Sequence, residues 1–414
     1  MRAYPQDSEA ETGKSWIGFL RGDFFFLWSS GVAMTVSMLL RTLISTQWLY
    51  DTTGSATELG LLGAVQFVQL PMALYGGSLA DRLDRKKLMV LIQAIGSLLL
   101  LTMTLLAMSN ALEPWHIFVV IGTSGMVNML GASARPAMLP RVVPRERLTH
   151  AVTILNVSSQ MATVAGPLLF WWFYAELGLT VSLGISTGIS LLGTVLPLLM
   201  RASGKPEVKD HQTTWKSLTE GALFVMKHPL LPGIFFLDIG VTVVSFYRQL
   251  FPVFADQLYG LGASGTGMLN TANAVGGIVG TLAVFYAGRF SRKGVLVLGA
   301  TIVYAFFLIA FGINRSFPLG LGIVAVLGLT DSMTVTVRQA IVQLVTPDKL
   351  LGRTASIRTF AANSANNIGQ VEVGMLSGAI GAGNAMLIGG IVSVIFVGVI
   401  WRAIPSVRRY RQVA

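Results

Sequence analysis

The sequence predicts an all-α membrane protein of twelve transmembrane helices, arranged as two pseudo-symmetric halves of six. Three observations predict it. Of the 414 residues, 53% are hydrophobic and only 12% are charged, about half the roughly 25% charge that dresses a soluble domain. Apolar runs long enough to cross a bilayer, which takes about 20 residues, recur along the whole chain. One long polar connection divides those runs six and six. The alternating segments of a β-barrel, about ten residues each, are not evident.

The spans are read at residues 24–49, 58–80, 87–109, 115–139, 148–175, 179–200, 230–256, 266–288, 295–314, 318–343, 352–378 and 384–403. Before span 1, the polar residues 1–15 lack the apolar core and small-residue cleavage site of a signal peptide. Spans 2 and 3 flank a turn, Asp81 to Lys87, in which six of seven residues are charged. Span 4 reads "GTSGMVNMLGASARPAMLP" and carries Arg135 toward its inner end. Span 5 carries Gly166 and Pro167 in "ATVAGPLLFWW", a pair that permits a kink and close packing. After span 6 comes the polar "RASGKPEVKDHQTTWKSLTEGALFVMKH", so the expected domains are 1–200, an inter-half loop 201–228, and 229–414. In that loop Trp215, Leu218, Leu223 and Phe224 fall near helical spacing, which predicts a helix lying along the membrane surface.

Basic residues orient the chain, because cytoplasmic loops carry the excess of Lys and Arg. With the N-terminus inside, the opposite loops hold one, Arg315, and five lie within spans: Arg41, Arg135, Arg248, Arg338 and Arg358. All others fall on the cytoplasmic side, so both termini are expected there and the protein in the cytoplasmic membrane. The net charge of +11 then faces lipid headgroups. It forms no aromatic-interleaved face, so nucleic acid is not an expected partner. The absence of cysteine excludes disulfides and cysteine chemistry. The scattered His116, His150, His211 and His228 fit no metal-ligand spacing.

A weak internal repeat lays "LLRTLISTQWLYDTTGSATELGLLGA" on "FYRQLFPVFADQLYGLGASGTGMLNTA", matching Arg41 to Arg248 and Gly60 to Gly267. With a small offset, "YGGSLADR" also lies on "YAGRFSRK". Paired six-helix halves of this kind occur in transporters that expose a central site to each side in turn.

Charge inside a membrane is costly and therefore informative. It is confined to Arg41 in span 1, Asp238 and Arg248 in span 7, Asp331 and Arg338 in span 10, and Arg358 and Glu372 in span 11, with Arg135 near the inner end of span 4. Depth counted at about 1.5 Å per residue permits an outer pair, Arg248 with Glu372. It also permits an inner cluster of Asp238, Asp331, Arg338 and Arg358. These groups either hold helices together or line a polar substrate or proton pathway. Asp238, Asp331 and Glu372 are the available proton carriers. Met34, Met38, Trp48, Phe246 and Tyr247 are candidate wall residues of a pocket.

The charged turn "GGSLADRLDRKKL" resembles the signature loop of the major facilitator superfamily, with Asp84 where that family usually has Gly. Gly77 permits close helix approach, and Asp81 can face the positive end of another helix. Arg82, Arg85 and Lys86 can bond free carbonyls and lipid phosphates. The resemblance implies that this loop latches onto the start of span 11, near Leu351 to Arg358, and closes the cytoplasmic side. Gly166–Pro167 resembles the antiporter motif of the superfamily's exporters, although the usual glycine-rich flanks are thin. The mid-span arginine of many proton-driven members is missing from span 4. Together with "QWLYDTTGSATELGLLGAVQFVQLP", "LPRVVPRERLTHAVTILN" and "TPDKLLGRTASI", the loop is similar to the branch of siderophore exporters, secretion effectors and macrolide-efflux proteins.

The resemblance implies a secondary transporter that exports a small molecule, such as a drug, a siderophore or another secondary metabolite, by alternating access and as a proton antiporter. An uptake symporter for an anionic solute is the alternative, and a non-transporting sensor a third reading. No nucleophile–base set, metal spacing or P-loop is present. Neither enzyme activity nor a cofactor is expected, a proton gradient being the coupling considered, and a monomer in the bilayer is expected. Cargo, direction and coupling ion are not written in the sequence.

Overall fold

A computed structural model describes residues 22–72, 83–205, 214–287 and 290–411. Among them the chain is helical and contains no β-strand. The first half comprises α1 (Asp23–Thr53), α2 (Ala56–Gln66), α3 (Arg85–Met108), α4 (Pro114–Gly131), α5 (Ala134–Val142) and α6 (Leu148–Val195). A connecting helix α7 (Thr214–Lys227) follows. The second half comprises α8 (Leu231–Val244), α9 (Phe251–Gln257), α10 (Gly262–Ala287), α11 (Lys293–Ile313), α12 (Phe317–Val345), α13 (Leu351–Ile380) and α14 (Ala382–Ala403), with a short α15 (Pro405–Arg409) at its end.

Eight helical stretches among the described residues, α8–α9 counted as one, are long and apolar enough to cross a membrane, and α4–α5 form a further span bent by 41°. The long α6 holds spans 5 and 6, separated at Gly178, whose φ of 75° lies where only glycine sits without strain. Gly381, with φ 86°, makes the corresponding turn between α13 and α14. With α2 and the more polar α13 the total is twelve, the count of the expected fold.

Span 7 is not the single helix read at 230–256. It breaks between α8 and α9 at Ser245–Tyr247. Ser245 leaves helical geometry, and its hydroxyl donates back to the Val241 carbonyl at 2.6 Å. Pro252 then opens the next helical segment, where a missing N–H costs nothing. Irregular backbone at this depth is tolerated where it lines a cavity, and this segment does so.

The two halves pack internally by different means. In the first, small hydroxyls staple the helices: Ser97 meets Ser190 at 2.6 Å, Thr104 meets Thr187 at 2.8 Å, and Ser30 donates to the Gly193 carbonyl at 2.7 Å. In the second, glycines bring backbones together. A Cβ on Gly276 or Gly280 of α10 would overlap the Ala325 or Leu329 carbonyl of α12.

Contacts between the halves gather at the end remote from the N-terminus. Gly60 of α2 lies against Gly374 of α13, and Gly267 of α10 lies against the Pro167 carbonyl and Trp171 of α6. Gln66 Nε2 donates to Gln370 Oε1 at 3.3 Å, and Tyr50 OH to Asp256 Oδ2 at 3.3 Å. At the other end, α7 packs on the start of α13, where Glu220 pairs with Arg353 and Gly221 backs onto the Arg353 carbonyl. On α7, Leu223 is exposed and Phe224 half-buried.

Candidate functional site

Two cavities carry the arginines anticipated inside the membrane, one in each half. That of the second half, about 250 Å³, is lined by α8, the break in span 7, α11, α12 and α13. Arg248, released from helical register by the break, pairs with Asp331 of α12. Arg338, one turn pair further along α12, reaches back to Asp238 of α8 at 2.6 Å. Arg358 of α13 lines the same space. The Arg248 side chain is 47% exposed, to the cavity, against 9% for Arg338. Cavity water therefore screens the first pair more, which makes it the easier one to open. The wall behind is aromatic: Asn273 donates to the Tyr247 hydroxyl, and Tyr304 bonds the Ser245 hydroxyl at 3.1 Å.

The cavity of the first half, about 260 Å³, is lined by α1, α3, α4, α5 and α6. Arg41 donates from Nη1 to Ser124 Oγ of α4 at 2.7 Å, while its Nε is buried without a partner among the described residues. Arg135 lies over Gly31, where a Cβ would leave no room for its guanidinium, and donates to Ser30 Oγ at 3.4 Å. With the Gln93 amide turned to satisfy both of its atoms, its oxygen accepts from Arg135 Nη2 at 2.8 Å. Met34 and Met38 line this cavity as Phe246 and Tyr247 line the other, whereas Trp48 packs on the apolar core.

The intramembrane charges anticipated from sequence thus converge, with one correction. The outer pair of Arg248 with Glu372 does not form. Counting depth along a straight span 7 set Arg248 too far out, and the break turns it toward Asp331. Glu372 keeps one buried carboxylate oxygen without a hydrogen bond among the described residues. The inner cluster of Asp238, Asp331, Arg338 and Arg358 does line one cavity, where Asp331 pairs with Arg248 and Asp238 with Arg338. Arg135 is the residue that sequence reasoning undervalued. The 41° bend before α5 brings it back into the cavity, and the signal was the nearby Pro136 and Pro140.

Of the signature turn, Gly77, Asp81 and Arg82 lie outside the described residues. Asp84, which replaces the family's Gly, caps α3 by accepting from the backbone N–H groups of Lys86 and Lys87 at 3.0 and 3.2 Å. Lys86 Nζ donates to the Met200 and Leu198 carbonyls at 2.6 and 3.2 Å, and Arg85 N to the Gly204 carbonyl at 2.8 Å. These ties run to the end of span 6. Gly166 packs against Leu39 of α1, and Pro167 receives Gly267 from the other half.

A twelve-helix bundle with an arginine-lined cavity in each half, and with the contacts between the halves among the described residues gathered at one end, has the architecture of an alternating-access membrane transporter. The family model of the Major Facilitator Superfamily matches residues 26–369, and the chain belongs to that family. It is a multi-pass membrane protein and a secondary transporter of small molecules. Similar proteins include the enterobactin exporter EntS of Shigella boydii serotype 4 and that of Escherichia coli O139:H28. Each is 27% identical over 389 residues, covering 92% of this chain and 89% of the relative. Among solved structures, a mutant of the nucleoside transporter NupG superposes with TM-score 0.76 at 13% identity, covering 92% of this chain and 99% of the other. A bacterial homologue of the human lysosomal transporter Spinster, inward-facing and unoccupied, gives 0.70 at 16%, covering 93% and 98%.

Proposed function

We propose that the protein exports a small organic molecule across the cytoplasmic membrane, with both termini on the cytoplasmic side. The observation that carries this reading is the similarity to enterobactin exporters over 92% of the chain. The distribution of Lys and Arg supports the orientation. In that orientation the joined end faces outward, and the paired cavities receive cargo from the cytoplasm. Arg41, Asp238, Arg248, Asp331, Arg338 and Arg358 form the polar pathway. Loading must favour the switch to the outward-open state, since a ligand shifts an equilibrium only by its differential affinity for the two states.

The Arg248–Asp331 pair is the element that changes: a proton on Asp331 removes its charge and frees Arg248, which couples inward proton flow to the cycle. Glu372 is a second proton carrier. The signature loop, through Gly77, Asp81 and Arg82, latches the cytoplasmic side, the Gly166–Pro167 segment packs the halves together at the far end, and the protein works as a monomer. Inside-out vesicles containing the protein test this. Under an imposed pH gradient, acid inside, they should accumulate cargo, and collapse of the gradient should release it. Accumulation only in right-side-out vesicles would reverse the direction.

A further inference from the structure

The two cavities are built on one plan with different charge. The same offset in residue number relates Arg41 to Arg248, Gly60 to Gly267, Ser124 to Asp331, and Pro167 to Gly374. The contacts obey it. Arg41 donates to Ser124 as Arg248 does to Asp331, and Gly60 meets Gly374 as Gly267 meets Pro167. The second arginine of each half also reaches back to its first helix segment, Arg135 to Ser30 and Arg338 to Asp238. Where the second half places two carboxylates, the first places two serines. Its two guanidiniums have neutral partners only among the described residues, and Arg41 Nε has none.

A hydroxyl orients a guanidinium without neutralising it. In a membrane that leaves a cationic wall whose natural complement is an oxyanion, which an arginine fork binds through charge-assisted hydrogen bonds. Beside this wall, and sharing Thr35 and Arg135 with it, lies a larger chamber of about 560 Å³ between α1, α5 and α6. Its lining is mainly apolar, with Trp28, Pro136, Leu139, Leu148, Val152 and Leu155.

We propose that Arg41 and Arg135 form the anion subsite of the transporter. The cargo is an amphipathic organic anion, with its oxyanion at Arg135, which borders both spaces, its apolar body in the adjoining chamber, and Arg41 adding a second positive charge along the same cavity wall. This rests on the transporter reading and names its substrate class.

The test uses the full-length protein in phosphatidylcholine nanodiscs and three probes of one shape: 1-naphthoate, the neutral 1-naphthamide and the cation 1-naphthylmethylammonium. Titration calorimetry should show naphthoate binding at least tenfold tighter than the other two. Ser124→Asp gives Arg41 the carboxylate that Arg248 already has, and should weaken naphthoate at least tenfold while sparing naphthamide. Arg135→Gln should do the same, and serves if the first variant misfolds. Equal affinity for naphthoate and naphthamide would overturn the proposal, as would unchanged naphthoate affinity in the folded variants. Addition of phosphatidylglycerol should leave binding unchanged, and displacement by that lipid would assign the site to a headgroup instead. Flux in proteoliposomes separates the two readings. Movement of the neutral or cationic probe but not naphthoate sinks the anion site alone. Charge-selective binding with no flux of any probe keeps the site and sinks the exporter.

Discussion

The two halves spend their polar groups in opposite ways. The first half uses hydroxyls twice over, to staple helices and to orient arginines. The second packs its helices by glycine and closes two of its arginines, Arg248 and Arg338, with carboxylates. The lesson is that one scaffold can hold an arginine at the same place for two purposes. An ion pair breaks only when something supplies or removes a charge, which suits a switch. A guanidinium held by a hydroxyl is already free for a ligand, which suits a binding site. An unneutralised arginine inside a membrane costs several kcal/mol unless it meets water or an anion, so the first-half cavity must stay open to one or the other.

The largest expected effect breaks this contrast directly. Asp331→Asn or Arg248→Ala should reduce cargo flux at least tenfold, because each leaves the other member of the pair unpaired. Either change leaves one charge inside the membrane without its counter-ion, which is costly even beside cavity water. Ser124→Ala, at the matching place, removes a single neutral acceptor worth about 1 kcal/mol and should cost less than about fivefold. Equal losses in the two halves, measured in proteoliposomes, would show that the carboxylate and the serine do the same work.

Symmetry at the joined end should hold where symmetry of charge fails. Gly60→Leu and Gly267→Leu each force a side chain into backbone of the opposite half. Both should therefore open the remote end and raise maleimide labelling of Tyr50→Cys several-fold. With no native cysteine to remove, the single reporter suffices. An effect of Gly60→Leu alone would mean that α2–α13 is the gate and α6–α10 a hinge.

A third contrast lies at the N-termini of α3 and α11. Asp84 caps α3 with its side chain, whereas Arg292 gives α11 no side-chain cap. Each start is also tied to the segment after its half's last helix, Arg85 N to the Gly204 carbonyl and Gly294 N to that of Tyr410. Asp84→Ala should cost about 1 kcal/mol, the ordinary worth of an N-cap, read as a lowered thermal midpoint in nanodiscs. No loss would mean that the Gly204 tie holds α3 unaided.

Much of this plan was legible in the sequence. Hydropathy marked the spans, because a bilayer demands long apolar helices. The repeat paired Arg41 with Arg248 and Gly60 with Gly267 before any contact was known. The partners of the arginines were less legible, since depth counted on straight helices ignores breaks. The Ser245–Tyr247 interruption moved Arg248 from Glu372 to Asp331, and the bend before α5 moved Arg135 from the membrane edge into a cavity. Both deviations arise from Ser, Gly and Pro acting on a few residues, which a hydropathy average erases.

The smallest effect concerns how each half is anchored at its start. Asp23 accepts from the N–H groups of Arg201 and Ala202 at 2.8 and 2.6 Å, tying α1 to the segment after span 6. The second half ties the start of α8 through the Pro229 carbonyl, which accepts from Ser406 Oγ at 2.6 Å. There His228 Nδ1 accepts from the N–H groups of Leu230 and Leu231 at 3.1 and 3.3 Å. Burial holds the His228 imidazole below its ordinary value of 6.5. The folded protein therefore binds fewer protons there than the unfolded chain, and stability rises with pH across that interval. His228 contributes fully above about pH 6.5. Its contribution falls as pH drops toward the depressed value, because imidazolium has no lone pair for Leu230 and Leu231. The thermal midpoint should fall by about one degree between pH 7.5 and 5, beyond whatever decline His228→Asn shows over the same range. Identical pH profiles for the two proteins would show that the second half is anchored by Ser406 and Pro229 alone.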